Sequence, residues 1–126
     1  MDNKIAKRIL IVEDEKELLL GLSTLLKSQG YSTIGAYDST FAISLAHKEK
    51  PDLIILDLGL PAGGGVFVLE NLKNTVETND IPILVLTAQQ GADLEEKLKK
   101  MGVVAYFHKP FDPPTLLSQI KDILNS

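Results

Sequence analysis

The sequence contains no cysteine among its 126 residues, so it can form neither a disulfide framework nor a thiolate metal site. It has no apolar stretch near the ~20 residues that a membrane-spanning helix requires. Its net charge of -4 and its pI near 5.1 argue against nucleic acid as a direct ligand. Acidic residues follow the first apolar run at once, which is unlike a signal peptide. These absences predict a cytoplasmic protein that binds neither membranes nor nucleic acids directly.

What the chain does contain is the composition of an ordinary globular protein, with 44% hydrophobic and 24% charged residues. Its length is sufficient for one domain with a proper core. No repeat, low-complexity tract or linker interrupts it. We therefore predict a single domain over residues 1–126, with no output domain in this chain.

Short apolar runs rich in β-branched residues alternate with segments of helical spacing. The runs predict five strands, at Ile9–Val12, Ser32–Ala36, Leu53–Leu56, Ile83–Leu86 and Val103–Phe107. The first, third and fourth runs are apolar throughout, which is typical of parallel strands covered on both faces. Strict alternation of strand and helix predicts a doubly wound α/β fold. Among the common doubly wound strand orders we expect the flavodoxin-like one, a (βα)5 domain with a parallel sheet of order 2-1-3-4-5 that makes the first and third strands neighbours.

The intervening segments carry apolar residues at the spacing of amphipathic helices. These residues are Leu18, Leu19, Leu22, Leu25 and Leu26; Phe41 and Leu45; Val66, Leu69 and Leu72; Leu94 and Leu98; and Leu116, Leu117, Ile120 and Leu124. Gly30 is predicted to end the first helix. Asp112 followed by Pro113 is predicted to cap and begin the last one.

Polar residues follow four of the five predicted strands. They are Glu13-Asp14-Glu15 after the first, Asp57 after the third, Thr87 after the fourth and Lys109-Pro110 after the fifth. In doubly wound sheets, ligands bind beyond the carboxyl ends of the strands where the strand order reverses, so Glu13, Asp14 and Asp57 should share one crevice. Carboxylates this close repel unless a cation joins them. Oxygen ligands suit a hard divalent ion, so we predict Mg²⁺.

Each of these residues, taken alone, also has a purely structural interpretation. Acids before a helix often cap it or interact with its dipole. Thr87 alone could be a strand-end hydroxyl, and Lys109 alone a surface lysine. The pattern becomes specific only because acid, acid, hydroxyl and lysine fall at one edge of the same predicted sheet.

At these residues the sequence resembles the receiver domain of two-component response regulators. The matching segments are ILIVEDE, PDLIILDLGLP with Gly65 eight residues after Asp57, ILVLTA, and GVVAYFHKPF. The resemblance runs from about Arg8 to Leu124. It implies that Asp57 is the phosphoacceptor.

The resemblance also implies roles for the surrounding residues. Glu13, Asp14, Asp57 and the carbonyl of Gly59 would bind Mg²⁺. Thr87 and Lys109 would contact the phosphoryl group, Tyr106 would be the switch aromatic, and the Lys109–Pro110 bond would be cis.

The implied function is signalling rather than turnover of a substrate. A sensor histidine kinase or a histidine phosphotransfer protein would donate the phosphoryl group, and the domain would catalyse only its own phosphorylation and dephosphorylation. The phosphorylated domain would change its affinity for a downstream protein partner. Pairing through the last two helices would give a phosphorylation-dependent homodimer.

Some positions depart from the commonest pattern of that family. Gly63-Gly64-Gly65 predicts a more mobile loop after Asp57. Val104 and Ala105 are apolar where acids are common, and His108 is predicted to be an exposed strand residue without a catalytic or metal role.

Three alternatives remain beside the receiver interpretation. An enzyme of the haloacid dehalogenase type would need a second acid where Gly59 stands. A flavin-binding module would need a phosphate-cradling loop after the first strand, where Glu13-Asp14-Glu15 would repel phosphate. A pseudo-receiver would keep the fold without the chemistry, which the intact set of Asp14, Asp57, Thr87 and Lys109 argues against.

Overall fold

The computed structural model describes residues 5–125, which form a parallel sheet with helices on both faces. Its strands are β1 (Arg8–Val12), β2 (Ser32–Ala36), β3 (Leu53–Leu56), β4 (Ile83–Thr87) and β5 (Ala105–His108). Its helices are α1 (Lys16–Ser28), α2 (Ser39–Glu49), α3 (Gly64–Lys73), α4 (Leu94–Lys100) and α5 (Pro113–Leu124), with a short 3₁₀ turn at Pro61–Gly63. The strand order is β2-β1-β3-β4-β5, so the predicted doubly wound topology is confirmed.

The sheet separates two apolar cores, and the central strands contribute to both. Ile9 and Ile11 of β1 pack on the side covered by α1 and α5. Leu10 and Val12 pack on the side covered by α2, α3 and α4. Because successive side chains of a strand point to opposite faces, a strand covered on both sides must be apolar at every position. Within residues 5–125, no helix combines the length and apolar character needed to cross a bilayer.

The predicted helix ends are confirmed. Gly30 has φ +92° just beyond α1, and its N–H donates to the carbonyl of Lys27 at 3.0 Å. The next N–H, of Tyr31, reaches back to Leu26 at 3.2 Å, which completes a Schellman ending that favours glycine. At the start of α5, the Asp112 carboxylate accepts a hydrogen bond from the Thr115 N–H at 3.2 Å.

The last strand was predicted to start two residues too early and to end one residue too early. Val103 belongs to the ending of α4, because its N–H donates to the carbonyl of Leu98 at 3.0 Å, and the strand begins at Ala105. It continues through His108, which pairs with Thr87 and is exposed as expected. An apolar run of valines therefore marked the approach to the strand as well as the strand itself.

Two residues assigned to buried helix faces are exposed instead. Phe41 is 49% exposed, because α2 turns its small residues Ala42 and Ala46 into the core. Val66 is 40% exposed, while Val68 of the same helix is fully buried. Close packing of α2 against α3 and the sheet favours alanine over phenylalanine at the contact, which the apolar pattern alone does not reveal.

Candidate functional site

Asp57 lies directly after β3, where backbone pairing still holds its main chain. Its N–H donates to the carbonyl of Val12 at 3.0 Å, and the residue is only 6% exposed. One carboxylate oxygen, Oδ1, accepts a hydrogen bond from the N–H of Gly59 at 2.8 Å. The side chain is therefore fixed by its own loop and faces the carboxyl end of the sheet.

Two of the three glycines in the run Gly63-Gly64-Gly65 are part of a helix. Only Gly63 precedes α3, with φ +71°, whereas Gly64 and Gly65 form its first turn and are buried. A Cβ on Gly65 would lie 2.6 Å from the carbonyl oxygens of both Asp57 and Leu58. The prediction of a three-glycine loop is thus wrong for Gly64 and Gly65, and Gly65 is required by close packing.

Three carboxylates meet at this end of the sheet. Glu13, Asp14 and Asp57 each place one carboxylate oxygen within 4.8 Å of the others. Glu13 is 2% exposed, and its Oε2 accepts a hydrogen bond from the N–H of Glu15 at 3.1 Å. Asp14 is exposed at the rim. Glu15 occupies the N-cap position of α1 but makes no side-chain capping bond, so helix capping does not account for the cluster.

Lys109 supplies the positive charge among these acids. Its Nζ donates to Glu13 Oε1 at 2.7 Å and to Asp57 Oδ2 at 3.1 Å, with 14% of the side chain exposed. The backbone N–H of Lys109 bonds the carbonyl of Thr87 at 2.9 Å, and the following bond to Pro110 is cis. A single ammonium therefore bridges acids that follow two neighbouring strands.

Burial and ion pairing act in opposite directions on the pKa values of Glu13 and Lys109. Burial raises the pKa of Glu13, and the charge of Asp57 adds to this, although hydrogen bonds from Lys109 and Glu15 oppose it. Burial by itself would lower the pKa of Lys109. Its hydrogen bonds and attraction to Glu13 and Asp57 outweigh that effect, so the pKa of Lys109 is raised. With three carboxylates and one ammonium, the cluster has an excess of negative charge.

The chemistry of these donors fits a hard divalent cation. All three acids offer oxygen, the ligand type that Mg²⁺ prefers, and Asp14 at the exposed rim leaves a path to water. The ammonium of Lys109 already occupies a position between Glu13 and Asp57 that favours positive charge. Gly59 contributes its N–H to Asp57 in this arrangement.

Thr87 and Tyr106 are linked to each other through the backbone of Gln89. Thr87 ends β4 and is fully buried, and its Oγ1 accepts a hydrogen bond from the Gln89 N–H at 3.1 Å. The Tyr106 hydroxyl donates to the Gln89 carbonyl at 3.4 Å. The sequence pattern does not indicate Gln89, because both contacts use its backbone rather than its side chain.

The chain is similar to known proteins over most of its length. The family model described as the response regulator receiver domain matches residues 9–121. The phosphate regulon transcriptional regulatory protein PhoB of Escherichia coli is 34% identical over 120 residues, which cover 95% of this chain and 52% of that protein. The chain therefore spans about half the length of the PhoB proteins that it matches.

Other relatives are similar over nearly their whole length. Sporulation initiation phosphotransferase F of Bacillus subtilis is 30% identical over 118 residues, 94% of each chain. The structure of the chemotaxis protein CheY4 of Vibrio cholerae has a TM-score of 0.87 and 28% identity, and the match covers 95% of this chain and 100% of that one. The receiver domain of HemR from Leptospira biflexa has a TM-score of 0.86 and 31% identity, and the match covers 95% of each chain.

Proposed function

The chain belongs to the response regulator receiver domain family, and from this premise we propose that Asp57 is the side chain that accepts the phosphoryl group. Receiver domains are phosphoacceptor signalling domains of two-component systems. The observation that carries the assignment to Asp57 is its place in the cluster. Asp57 directly follows β3, the central strand of the sheet; one of its carboxylate oxygens is held by the Gly59 N–H, and the other contacts Lys109 at 3.1 Å.

The proposed reaction is an in-line transfer to a carboxylate. An oxygen of Asp57 attacks the phosphorus of the donor, a P–O bond forms, and the P–N bond of a phosphohistidine breaks. The electron pair of the broken bond leaves with the donor nitrogen. The Lys109 ammonium is 3.1 Å from Asp57 Oδ2, close enough to neutralise the charge that develops on the phosphoryl oxygens. This electrostatic stabilisation of the transition state supplies most of the catalysis.

The acidic cluster supports Mg²⁺ as the cofactor, held by Glu13, Asp14, Asp57 and the Gly59 carbonyl. When bound, the ion would offset the negative charge that the acids and the phosphoryl group bring together. Loss of the phosphoryl group would follow by attack of water on phosphorus, which releases inorganic phosphate and regenerates the Asp57 carboxylate. The domain would then catalyse only its own phosphorylation and dephosphorylation.

We propose that the link through Gln89 transmits the phosphorylated state. If the Thr87 hydroxyl turns to a phosphoryl oxygen, it withdraws from the Gln89 N–H, and the Tyr106 hydroxyl loses its fixed acceptor. The Tyr106 side chain then rotates, which changes the surface that β5 forms with α4 and α5. To change from about 1% to about 99% active, the phosphoryl group must favour the active state by roughly 5.5 kcal/mol.

Receiver domains interact with histidine kinases or phosphotransfer proteins and with downstream effectors. For this chain we propose a sensor histidine kinase or histidine phosphotransfer protein as donor, in the cytoplasm, and a downstream protein as the reader. Phosphorylation would also favour a homodimer through α4 and α5. Direct binding of nucleic acid or membrane by this domain is not part of the proposal.

The rival enzyme of the haloacid dehalogenase type lacks support. Such an enzyme needs a second acid two residues after the nucleophile, and Gly59 stands there. A Cβ at Gly59 would lie 3.3 Å from Asp57 Oδ1, so the neighbourhood of the nucleophile is already closely filled.

The test is to incubate the protein with Mg²⁺ and acetyl phosphate and to measure its intact mass. We expect the mass to rise by one phosphoryl group, and Asp57→Asn to abolish the increase. Asp52→Asn is the matched control, because Asp52 lies at the opposite end of β3 and accepts a hydrogen bond from the Arg8 N–H instead. No increase in the wild type, or an equal increase in Asp57→Asn, would refute the assignment.

A further inference from the structure

A groove separate from the acidic cluster runs between α1 and the outer edge of the sheet. Its cavity measures about 320 Å³. One wall comes from α1, the other from β2, and the floor includes Leu19 and Gly35. A Cβ on Gly35 would lie 2.9 Å from Leu19 Cδ2, so the glycine lets Leu19 settle against the strand.

The wall from α1 is a single stripe of the helix. Lys16, Leu20, Ser23 and Lys27 line the cavity and are spaced by four, three and four residues, which places them on one helix face. Leu20 is 68% exposed, an unusual position for a large apolar side chain beside a cavity. The stripe thus offers a positive charge at each end and an apolar side chain between them.

The wall from β2 is the free edge of the sheet. Ser32 and Ala36 turn their backbone groups toward β1, shown by bonds from Ser32 N–H to Lys7 (2.8 Å) and from Glu13 N–H to Ala36 (3.0 Å). Because backbone groups alternate in direction along a parallel ladder, Thr33 and Gly35 turn theirs outward. Within the described chain, β2 pairs with no strand other than β1.

Two side-chain contacts hold the β2 edge against α1. The hydroxyls of Ser23 and Thr33 are hydrogen-bonded at 2.6 Å, which joins α1 to β2 along the groove. Tyr37 follows β2, is 47% exposed, and lies beneath the ammonium of Lys16, 5.9 Å from the ring centre. Strand addition to such an edge combines backbone hydrogen bonds with contacts to alternate side chains.

The charge of the groove selects its occupant. Lys16 and Lys27 line it, no carboxylate of the described residues does, and neither lysine forms an ion pair with a described acid. A second copy paired edge to edge would bring lysines against lysines. We propose that the groove binds an extended, acidic peptide segment of a partner protein, which adds as a strand to the free edge of β2.

The spacing of the stripe sets the pattern of that peptide. Lys16 and Lys27 are eleven residues apart, about 17 Å along a helix. An extended chain covers this distance in about five residues, and its alternate side chains face the same way. The segment therefore carries acid, apolar and acid at alternate positions, with the apolar side chain against Leu20. This pattern reads the same in both chain directions.

The test uses a fluorescein-labelled synthetic peptide with the core Asp-Thr-Leu-Thr-Asp, titrated with the full chain and followed by anisotropy. We expect saturable binding that Lys27→Glu weakens at least tenfold. Lys48→Glu, on the exposed side of α2, makes the same charge change elsewhere and should leave binding unaltered. Amide hydrogen exchange should slow at Thr33 and Gly35 when the peptide is added.

Three controls separate strand addition from other kinds of binding. A peptide with lysines in place of the aspartates, and one N-methylated on the backbone of its central residues, should both fail to bind. Phosphorylation of Lys27→Glu by acetyl phosphate should match the wild type, because Lys27 lies at the far end of α1 from the acidic cluster. Equal binding of the acidic and basic peptides, no protection at Thr33 and Gly35, or a dimer that buries the β2 edge would each overturn the proposal.

Discussion

Two glutamates at opposite ends of the sheet are paired with basic side chains, yet their pKa values move in opposite directions. At the amino end, Glu49 contacts the guanidinium of Arg8, and this hydrogen bond lowers its pKa. At the carboxyl end, Glu13 contacts Lys109 at 2.7 Å, and burial nevertheless raises its pKa. An ion pair therefore does not by itself determine whether the pKa of a glutamate is raised or lowered.

The difference lies in what surrounds each pair. Arg8 contacts two acids at a partly exposed edge, since it bonds Glu49 through its side chain and Asp52 through its backbone N–H at 2.8 Å. Lys109 must serve Glu13 and Asp57 in a nearly closed crevice, with Asp14 adjacent. The amino-end contacts are structural, whereas the carboxyl end keeps the excess of negative charge to which we propose Mg²⁺ binds.

The largest expected difference between the two ends is in the rate of phosphoryl transfer. Lys109→Met should lower the rate of labelling by acetyl phosphate about 10³-fold, because it removes a fixed positive group from the reacting oxygens. Arg8→Met, at the other end, should leave the rate essentially unchanged. Intact mass followed over time measures both rates. Similar losses in the two variants would mean that the two clusters do not differ as described.

Backbone packing provides the next test of the comparison. Gly65→Ala should destabilise the fold by about 3 kcal/mol, because the new methyl group meets the carbonyl oxygens of Asp57 and Leu58. Gly21→Ala, in the middle of α1 with no atom within 4 Å of the added Cβ, should stabilise it by about 0.5–1 kcal/mol. Urea denaturation measures both free energies of unfolding. An unchanged free energy of unfolding in Gly65→Ala would show that the backbone of Asp57 and Leu58 can move to accommodate the methyl group.

Magnesium should stabilise the protein through the carboxyl-end acids and not through those at the amino end. At a tenfold excess of Mg²⁺ over its dissociation constant, the free energy of unfolding should rise by about 1.4 kcal/mol. The gain should shrink in Asp14→Asn, which removes a carboxylate from the cluster, and persist in Asp52→Asn. Thermal melts with and without the ion give the values. An undiminished gain in Asp14→Asn would place the ion elsewhere.

The smallest expected effect is the pH dependence of the two glutamates. The lowered pKa of Glu49 means that its contribution to stability is present at neutral pH and is lost as the pH falls through its folded value. The raised pKa of Glu13 has the opposite sign, so ionising Glu13 opposes folding as the pH rises through its folded value.

Carbon-13 NMR of the side-chain carboxyls would measure both titrations. Glu13 should titrate above the ordinary range of glutamate and Glu49 below it. Added Mg²⁺ should move the midpoint of Glu13 downward and leave Glu49 where it was. Coincident midpoints in the metal-free protein would remove the basis of the comparison.

The sequence was sufficient to predict a doubly wound parallel sheet and, given the order 2-1-3-4-5, the acids that meet at its carboxyl end. Both follow from local pattern, because uninterrupted apolar runs predict covered parallel strands, and polar residues at their ends must share an edge. The exposure of Phe41 and the true start of β5 were not predictable in this way. They depend on how closely α2 approaches α3 and on where α4 ends, which are tertiary effects.

Contacts between distant residues were also beyond local pattern. Glu13 and Lys109 are 96 positions apart, and nothing in the sequence indicates that this glutamate is the nearer partner of the lysine. The role of Gln89 was hidden because it acts through its backbone. The requirement for Gly65 followed from contact with the Asp57 loop, and the run of three glycines suggested looseness instead.

The uninterrupted apolar run of β3 leaves the register of this strand against β1 weakly specified. Leu53 to Leu56 are all buried, so sliding β3 by one position along β1 would exchange one aliphatic side chain for another on each face. Asp57 breaks this degeneracy, because a slide that drew it inward would strand a carboxylate among hydrocarbon. The residue proposed to accept the phosphoryl group thus also fixes the register of β3 against β1.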